Sequence, residues 1–175
     1  MSRRVGVYRL GSVLVIVAML AWAAWLASMA RSKLDYLVAK AQTQAPLPAC
    51  LWTSISTPAV SSLGLSFEPS HAWSERKETF LAFRTPSFLP PVVVDLRLPA
   101  VVGKDVLMSA DGGKVFAVSA DGDVRLPLRQ LPAGSVHVVA IRIGKSLPPH
   151  GQDRRWLGVA ISEVRVCGAS GATGD

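Results

Sequence analysis

The chain has 175 residues, of which 50% are apolar and 18% are charged, and its formal net charge is +7. This length fits one domain of ordinary size with an additional segment and excludes two full domains. Residues 1–40 hold six basic residues and one acidic residue, which leaves thirteen and eleven for the remainder. Because the positive charge is concentrated in the N-terminal segment, the folded part lacks the dense basic face that nucleic acids require, and we expect no nucleic-acid partner.

An uncharged apolar segment follows the first basic residues. It covers residues 10–30, is bounded by two arginines, and would form a helix about 31 Å long, close to the thickness of a hydrocarbon core. The sequence therefore predicts a transmembrane helix over 10–30 after a cytoplasmic tail over 1–9, with the lipid bilayer as a partner.

A cleaved signal peptide is the alternative interpretation of this segment. Arg3 and Arg4 precede the apolar run, and residues 28–30 offer a cleavage site between small side chains. The hydrophobic region of a signal peptide is usually about 7–15 residues long, so the longer run favours an uncleaved anchor. Basic residues are equally frequent on both sides of the span, and their count alone does not orient it.

Two further predictions concern the helix and its continuation. Ala23 with Ala27, and Ala24 with Ser28, are four positions apart and would let another helix approach closely, although chance gives the same spacing in an alanine-rich span. Helical spacing continues beyond the span until two prolines end it, which predicts a helical stalk and linker over 31–48.

From Cys50 onward the pattern changes to short runs rich in Val, Leu, Ile and Phe, separated by Pro, Gly and Asp. Nine such runs without an amphipathic helix predict an antiparallel β-sandwich or barrel over 49–168, followed by a flexible tail over 169–175. The candidate strands are Leu51–Ser56, Leu63–Glu68, Thr79–Arg84, Val92–Leu98, Val106–Ala110, Lys114–Ser119, Val124–Leu128, Val136–Ile143 and Leu157–Val166.

Turn residues and side-chain alternation predict how some of these strands are arranged. Ser-Ala-Asp-Gly occurs at 109–112 and again at 119–122, and because Asp-Gly favours tight hairpins we expect a three-stranded meander over 106–128. Pro127 indicates an edge strand or a bulge. The apolar parity changes near Ser162-Glu163, which predicts a β-bulge there.

One strand and its histidine have their own prediction. Both parities of 136–143 are largely apolar, as in a central strand that is covered on both sides. We expect His137, inside this strand, to be a structural histidine with a hydrogen-bond partner.

The two cysteines, Cys50 and Cys167, lie at the two ends of the predicted β domain. This placement predicts a disulfide that joins its first and last strands, and such a bond needs an oxidising compartment. Two unrelated buried thiols are the alternative. Together with the short N-terminal tail, the disulfide favours a cytoplasmic N-terminus and a C-terminal domain in the periplasm.

The segment from Gly64 to Val166 resembles the small β-sandwich domains of bacterial membrane glycosyltransferases and exopolysaccharide assembly proteins. The stretches that carry the resemblance are Gly64-Leu65-Ser66 through Trp73-Ser74-Glu75, Val106 to Asp111, and, most distinctively, Asp153-Arg154-Arg155-Trp156-Leu157-Gly158-Val159-Ala160-Ile161. The resemblance implies an all-β, jelly-roll-like sandwich similar to a carbohydrate-binding module, on the periplasmic side of the bacterial inner membrane. It does not imply catalysis.

The distinctive ending also has a physical interpretation. Asp153 beside Arg154 and Arg155 would form a charge cluster that fixes the loop before the last strand. Gly158 would allow a close approach of two backbones or a bulge. We favour this structural role over ligand binding.

The sequence lacks the compact motifs for acyl transfer, zinc hydrolysis, thiol redox chemistry and nucleotide binding. We therefore expect no enzyme activity, no cofactor and no metal, and the histidines at 71, 137 and 150 are far apart. Glu68, Glu75 and Glu78 lie near Trp73 and could flank a sugar, or hydrolyse a glycosidic bond if two were held about 5–9.5 Å apart. A solvated loop is the simpler interpretation.

These features support two classes of function. The first is a non-catalytic accessory or scaffold subunit of a larger inner-membrane complex, with other membrane proteins as partners. The alternative is a glycan-binding module for envelope or exopolysaccharide assembly, with a polysaccharide as partner and Trp73, which lies in a polar stretch, stacking on a sugar ring. A hydrolase ranks third.

Overall fold

The computed structural model describes residues 3–86, 92–149, 153 and 155–168. The chain divides into two compact units, Met1–Tyr36 and Leu37–Asp175. The flexible tail expected over 169–175 lies outside the described residues, as do Arg154 and His150.

Helix α1 covers Arg3–Gln42, and its residues up to Tyr36 belong to the first unit. From Val15 onward α1 is long and apolar enough to cross a membrane by length and composition. Large apolar side chains on it are exposed, among them Leu20 at 65% and Trp22 at 64%. Such exposure suits a lipid environment, because a water-soluble protein rarely leaves so large an apolar surface uncovered. The single N-terminal helix of the predicted fold class is confirmed.

The last turns of α1 belong to the second unit. Leu37 and Ala41 are buried there. Beyond the helix, Ser61 Oγ donates a hydrogen bond to Gln44 Oε1 at 2.9 Å, and Arg84 Nη1 donates one to the Gln44 carbonyl at 3.2 Å. Part of the segment expected to form a stalk is thus packed into the β domain.

Strands dominate the second unit. In the described residues they form three antiparallel sheets, with orders β1-β13-β6-β10 (sheet A), β2-β5-β11-β8-β9 (sheet B) and β3-β4-β12-β7 (sheet C). The strands are β1 Thr53–Ser54, β2 Val60–Leu63, β3 Leu65–Phe67, β4 Ala72–Ser74, β5 Glu78–Arg84, β6 Val92–Leu98, β7 Ala100–Val101, β8 Lys104–Ala110, β9 Phe116–Val118, β10 Gly122–Pro127, β11 Val136–Lys145, β12 Val159–Ile161 and β13 Glu163–Gly168.

One hydrophobic core contains side chains from all three sheets. Phe83 and Met108 of sheet B, Leu96 and Val164 of sheet A, and Ile161 of sheet C are fully buried. Each such side chain stabilises the fold by about 1.5–3 kcal/mol relative to an exposed one. The predicted all-β antiparallel sandwich is confirmed, with β11 at the centre of sheet B and the Pro127 strand, β10, at the edge of sheet A.

The predicted meander over 106–128 is wrong at its third strand. β8 and β9 form the expected hairpin, and Asp111 and Gly112 supply its positive φ values of 51° and 67°. β10 instead pairs with β6 in sheet A. At the second Asp-Gly, Asp121 Oδ1 accepts a hydrogen bond from the Val101 backbone at 2.7 Å, so this turn anchors a crossing between sheets.

The last predicted strand is divided in two at Ser162. β12 pairs with β4 and β7 in sheet C, whereas β13 pairs with β1 and β6 in sheet A. Between them, the Ser162 N–H donates to the Arg97 carbonyl at 3.0 Å, and the Ser162 carbonyl accepts from Ile55 at 2.9 Å. This change of sheet accounts for the shift in apolar parity that predicted a bulge.

The predicted disulfide between Cys50 and Cys167 is confirmed. The two Cα atoms are 4.7 Å apart, and the Cys50 N–H donates to the Val166 carbonyl at 2.9 Å. Because β1 follows Cys50 and pairs with β13, the bond fastens the beginning of the β domain to its last strand.

Removal of this bond is expected to destabilise the second unit strongly. The cysteines are separated by 117 positions. Opening so long a loop increases the conformational entropy of the unfolded chain, which lowers the free energy of unfolding by up to about 5 kcal/mol. Urea unfolding of the full-length protein in detergent, followed by tryptophan fluorescence, should show the loss in a C50S/C167S variant. Reductant should reproduce it in the wild type and add nothing to the variant. Equal unfolding midpoints would contradict this prediction.

Candidate functional site

Arg155 gathers acidic side chains in the loop before β12. Its Nε donates to Asp153 Oδ1 at 2.9 Å, and its Nη2 donates to Glu68 Oε1 at 2.6 Å. Glu75 Oε1 lies 3.9 Å from Arg155 Nε. Hydrogen bonds to Asp153, and to a smaller extent to Glu68, raise the pKa of Arg155. The structure therefore brings together two members of the loop cluster predicted from the sequence, Asp153 and Arg155.

The same network extends to the predicted stacking residue, Trp73. Glu68 Oε2 lies 3.2 Å from His71 Nε2, and the His71 ring contacts the Trp73 indole edge-on, with 5.5 Å between the centroids. Trp73 lies in the centre of β4, opposite Ala160 of β12, and is partly buried. A role for Trp73 in sugar stacking stays a prediction.

An open groove of about 620 Å³ lies next to this network. Its wall includes the indole of Trp156, which is 55% exposed, and the carboxylate of Glu75. The remaining lining residues are Lys77, Gly144, Lys145, Ser146 and Pro148.

Backbone pairing fixes the position of Trp156 in this groove. Leu147 and Leu157 exchange two backbone hydrogen bonds, of 2.7 and 3.1 Å, which hold the end of β11 beside the loop before β12. The next residue, Gly158, packs so closely that a Cβ there would overlap the Ile143 side chain. The close backbone approach expected at Gly158 is present.

Trp156 was missed as a site residue because it adjoins an apolar run that resembles a core strand. The alternation of Leu157, Val159 and Ile161 in the sequence was the signal that could have found it, because it places the residue before them on the opposite face. In the structure Trp156 is exposed, whereas Val159, Ala160 and Ile161 are all buried. An exposed indole at the start of such a run indicates a surface role more directly than Trp73 does.

The glutamates near Trp73 do not converge on one cleft. Glu68 and Glu75 both face Arg155, whereas Glu78 pairs with Arg142 across β5 and β11 at 3.0 Å. Of the residues that line the groove in the described part of the chain, Glu75 is the one carboxylate.

The expected structural histidine, His137, is buried and bonded to the hairpin turn. Its Nδ1 lies 2.6 Å from Asp111 Oδ2, and Asp111 also accepts backbone N–H groups of Val138 at 2.9 Å and Arg129 at 3.1 Å. Burial alone would raise the pKa of Asp111, but these hydrogen bonds lower it below its ordinary value. Asp111 thus ties the β8–β9 turn to β11.

A buried carboxylate on sheet A was not found from the sequence. Asp95 of β6 has a side chain that is only 3% exposed. It accepts hydrogen bonds from Arg125 Nε of β10 at 2.7 Å and from Arg165 Nη2 of β13 at 3.1 Å. Both arginines lie directly opposite Asp95 in the strand register.

The adjacent row of sheet A repeats this pattern with reversed signs. Arg97 of β6 pairs with Asp123 of β10 at 3.3 Å and with Glu163 of β13 at 2.6 Å. The Trp52 ring lies 4.1 Å from the Arg97 guanidinium carbon and 4.5 Å from that of Arg165. We call these two rows of charges the sheet A lattice; its charges are mutually compensated.

The other predicted site residues lie on α1. Ala23, Ala24 and Ser28 are exposed, whereas the side chain of Ala27 lies outside the described residues. Ser28 Oγ donates to the Trp25 carbonyl at 2.7 Å. In the described residues, no group of three or more His, Cys, Asp or Glu side chains is placed to hold a metal ion.

No protein-family model and no curated protein matches the chain. Three solved structures each cover 66% of it: a family two carbohydrate esterase from Cellvibrio japonicus (11% identity, TM-score 0.40), the salicylyl-acyltransferase SsfX3 from a tetracycline biosynthetic pathway (19%, 0.38), and TmCBM61 in complex with β-1,4-galactotriose (11%, 0.34). The matched shares of those chains are 32%, 39% and 86%, so this chain spans less than a third of the first and about two fifths of the second.

These neighbours include β-sandwich-like folds. At such scores they assign neither activity nor ligand to this chain. None of the three is a membrane glycosyltransferase or an exopolysaccharide assembly protein, so that part of the resemblance stays a prediction.

The buried carboxylate of the sheet A lattice gives a testable prediction. Asp95→Ala would leave Arg125 and Arg165 beside each other without their shared anion, and we expect a loss of about 2–4 kcal/mol in the free energy of unfolding. Asp123→Ala is the matched control, because Asp123 pairs with an arginine on the same face but is 50% exposed; it should cost less than about 1 kcal/mol. Urea unfolding of both variants measures the difference. Similar losses in the two variants would contradict the prediction.

Proposed function

We propose that this chain is a membrane-anchored β-sandwich protein that binds a glycan in the Trp156 groove. The observation that carries the proposal is the exposed indole on the wall of a 620 Å³ groove that also presents a carboxylate, a hydroxyl and ammonium groups. Small-molecule sites of about 300–1,000 Å³ combine a mainly apolar wall with a few polar groups in this way. A sugar ring matches such a wall, since its C–H face stacks on an indole while its hydroxyls form hydrogen bonds.

Hydrogen bonds hold the loop that carries Trp156 on both sides. Arg155 holds the loop before Trp156 through Asp153 and Glu68, and the Leu147–Leu157 pair holds it from the other side. A site whose side chains are fixed before the ligand arrives loses less conformational entropy on binding.

The proposed location follows the sequence prediction. α1 would anchor the protein in the bacterial inner membrane over residues 10–30, with residues 1–9 in the cytoplasm and the β domain over 49–168 in the periplasm. The exposed apolar surface of α1 supports the anchor, and the Cys50–Cys167 disulfide supports an oxidising compartment for the β domain.

The test of glycan binding is Trp156→Ala in the full-length protein, purified in a detergent without a sugar head group. Calorimetry and retention on immobilised polysaccharides should show binding by the wild type and at least about a tenfold loss of affinity in the variant. Trp156→Phe should retain part of the affinity, because it keeps an aromatic face.

Trp73→Ala is the matched control, because it removes the partly buried indole of the same network. Binding that survives Trp156→Ala but not Trp73→Ala would move the site to the residue predicted from the sequence. Failure of the wild type to bind any glycan would contradict the proposal.

A non-catalytic accessory or scaffold subunit remains the second candidate. The exposed small residues Ala23, Ala24 and Ser28 favour it, because they leave room for a neighbouring helix to approach α1. Close helix contacts in membranes use small side chains of this kind.

Co-purification from native membranes in mild detergent tests the second candidate. A partner subunit should be captured by the wild type and lost with A24L/S28L, in which larger side chains keep a second helix away. M19L is the control, because it preserves the volume of an exposed side chain on the same helix. A monomer that captures nothing from native membranes would contradict the accessory role.

A further inference from the structure

Two lysines of the groove have no acidic partner among the residues that the structure describes. Lys77 and Lys145 are exposed and line the groove with Trp156, and neither forms an ion pair there. In contrast, several arginines of the β domain are paired with carboxylates: Arg97, Arg125, Arg142, Arg155 and Arg165. Positive charge that is not compensated is therefore a property of the groove and not of the sheet A lattice.

The backbone brings these two lysines to one end of the groove. The Ile143 N–H donates to the Lys77 carbonyl at 2.9 Å, so the chain at Lys77 runs beside the end of β11, where Lys145 lies. Lys145 is directly opposite Lys104 of β8 in the strand register. Like charges in this position repel each other, and an anion bound near them would remove that cost.

The acidic groups near the groove do not cancel this charge. Glu75 Oε1 lies 3.9 Å from Arg155 Nε, but this guanidinium is held more closely by Glu68 and Asp153. The Asp105 side chain packs against Gly144, where a Cβ would lie 2.8 Å from the Asp105 Cβ. The charge of Arg155 is already matched by Asp153 and Glu68. The three lysines Lys77, Lys104 and Lys145 therefore outnumber the Glu75 and Asp105 carboxylates by one positive charge at this end of the groove.

We propose that the groove selects a saccharide that carries carboxylate groups, such as a uronate-containing oligosaccharide. This inference rests on the proposed glycan site. A sugar ring would stack on Trp156 while a ring carboxylate lies between the Lys77 and Lys145 ammonium groups. The indole supplies affinity for sugar rings in general, and the two lysines supply the preference for acidic ones.

The experiment compares oligogalacturonate with its methyl-esterified form at equal length, by calorimetry on the full-length protein in a non-glycosidic detergent. The two probes have the same rings and differ in charge. The acid form should bind about three- to tenfold more tightly at low salt, as expected for two exposed ion pairs. The preference should shrink as ionic strength rises.

Matched variants separate the two contributions. Lys77→Gln and Lys145→Gln should each reduce the ratio of acid-form affinity to ester affinity, because glutamine removes the charge but keeps a hydrogen-bonding group. Lys114→Gln is the control, because Lys114 is an exposed lysine that lies over Phe116, at 5.2 Å from its ring, and does not line the groove. Trp156→Ala should weaken binding of both probes.

The outcomes distinguish the two proposals. Equal affinities for the two probes, or a preference that survives both lysine substitutions, would overturn the selection of acidic saccharides and leave the glycan site standing. Absence of binding by either probe, together with no binding of neutral glycans that depends on Trp156, would overturn both proposals.

Discussion

The architecture of the β domain depends on one constraint, the path of the C-terminal segment from sheet C to sheet A. Within a few residues this segment forms β12, changes sheets at Ser162 and forms β13. Both backbone groups of Ser162 are used at the crossing, by Arg97 and by Ile55. A single segment therefore fastens two sheets, and the disulfide at Cys167 fastens the same segment to the beginning of the domain.

The groove is a consequence of how closely this segment packs before the crossing. Ser74 accepts the Gly158 N–H at 3.1 Å through its carbonyl, and its Oγ accepts the Val159 N–H at 2.7 Å. Val102 and Gly103 both donate to the Gly158 carbonyl. These bonds use both backbone groups of Gly158, and its close packing leaves no room for a side chain. Trp156, two residues earlier, projects outward beside the end of β11. The apolar wall of the groove is thus set by core packing.

Features that depend on residues close together in the sequence could be predicted from it. The apolar run, the strand periodicity and the terminal cysteines were sufficient for α1, most long strands and the disulfide. The meander failed because an Asp-Gly turn specifies a bend but not the strand that follows it, and β10 finds its partner in β6. Asp95 was missed for a related reason, since its partners Arg125 and Arg165 are 30 and 70 positions away. The pairing of the strands in sheet A is what places two arginines opposite the Asp95 carboxylate and neutralises its charge.

The two surfaces of the β domain use charge in different ways, and the difference supports a ligand at one of them. In the sheet A lattice each charged side chain meets opposite charges on neighbouring strands, and the planar guanidinium groups fix that geometry. Such a face has little to gain from an ionic ligand, because binding would have to break existing pairs. Beside the groove, Arg155 orders the loop through Asp153 and Glu68, while Lys77 and Lys145 line the groove itself. Lysine ammonium groups that have no carboxylate partner in the described part of the chain remain available for exchange between water and an anionic ligand, which is the property that a reversible binding site requires.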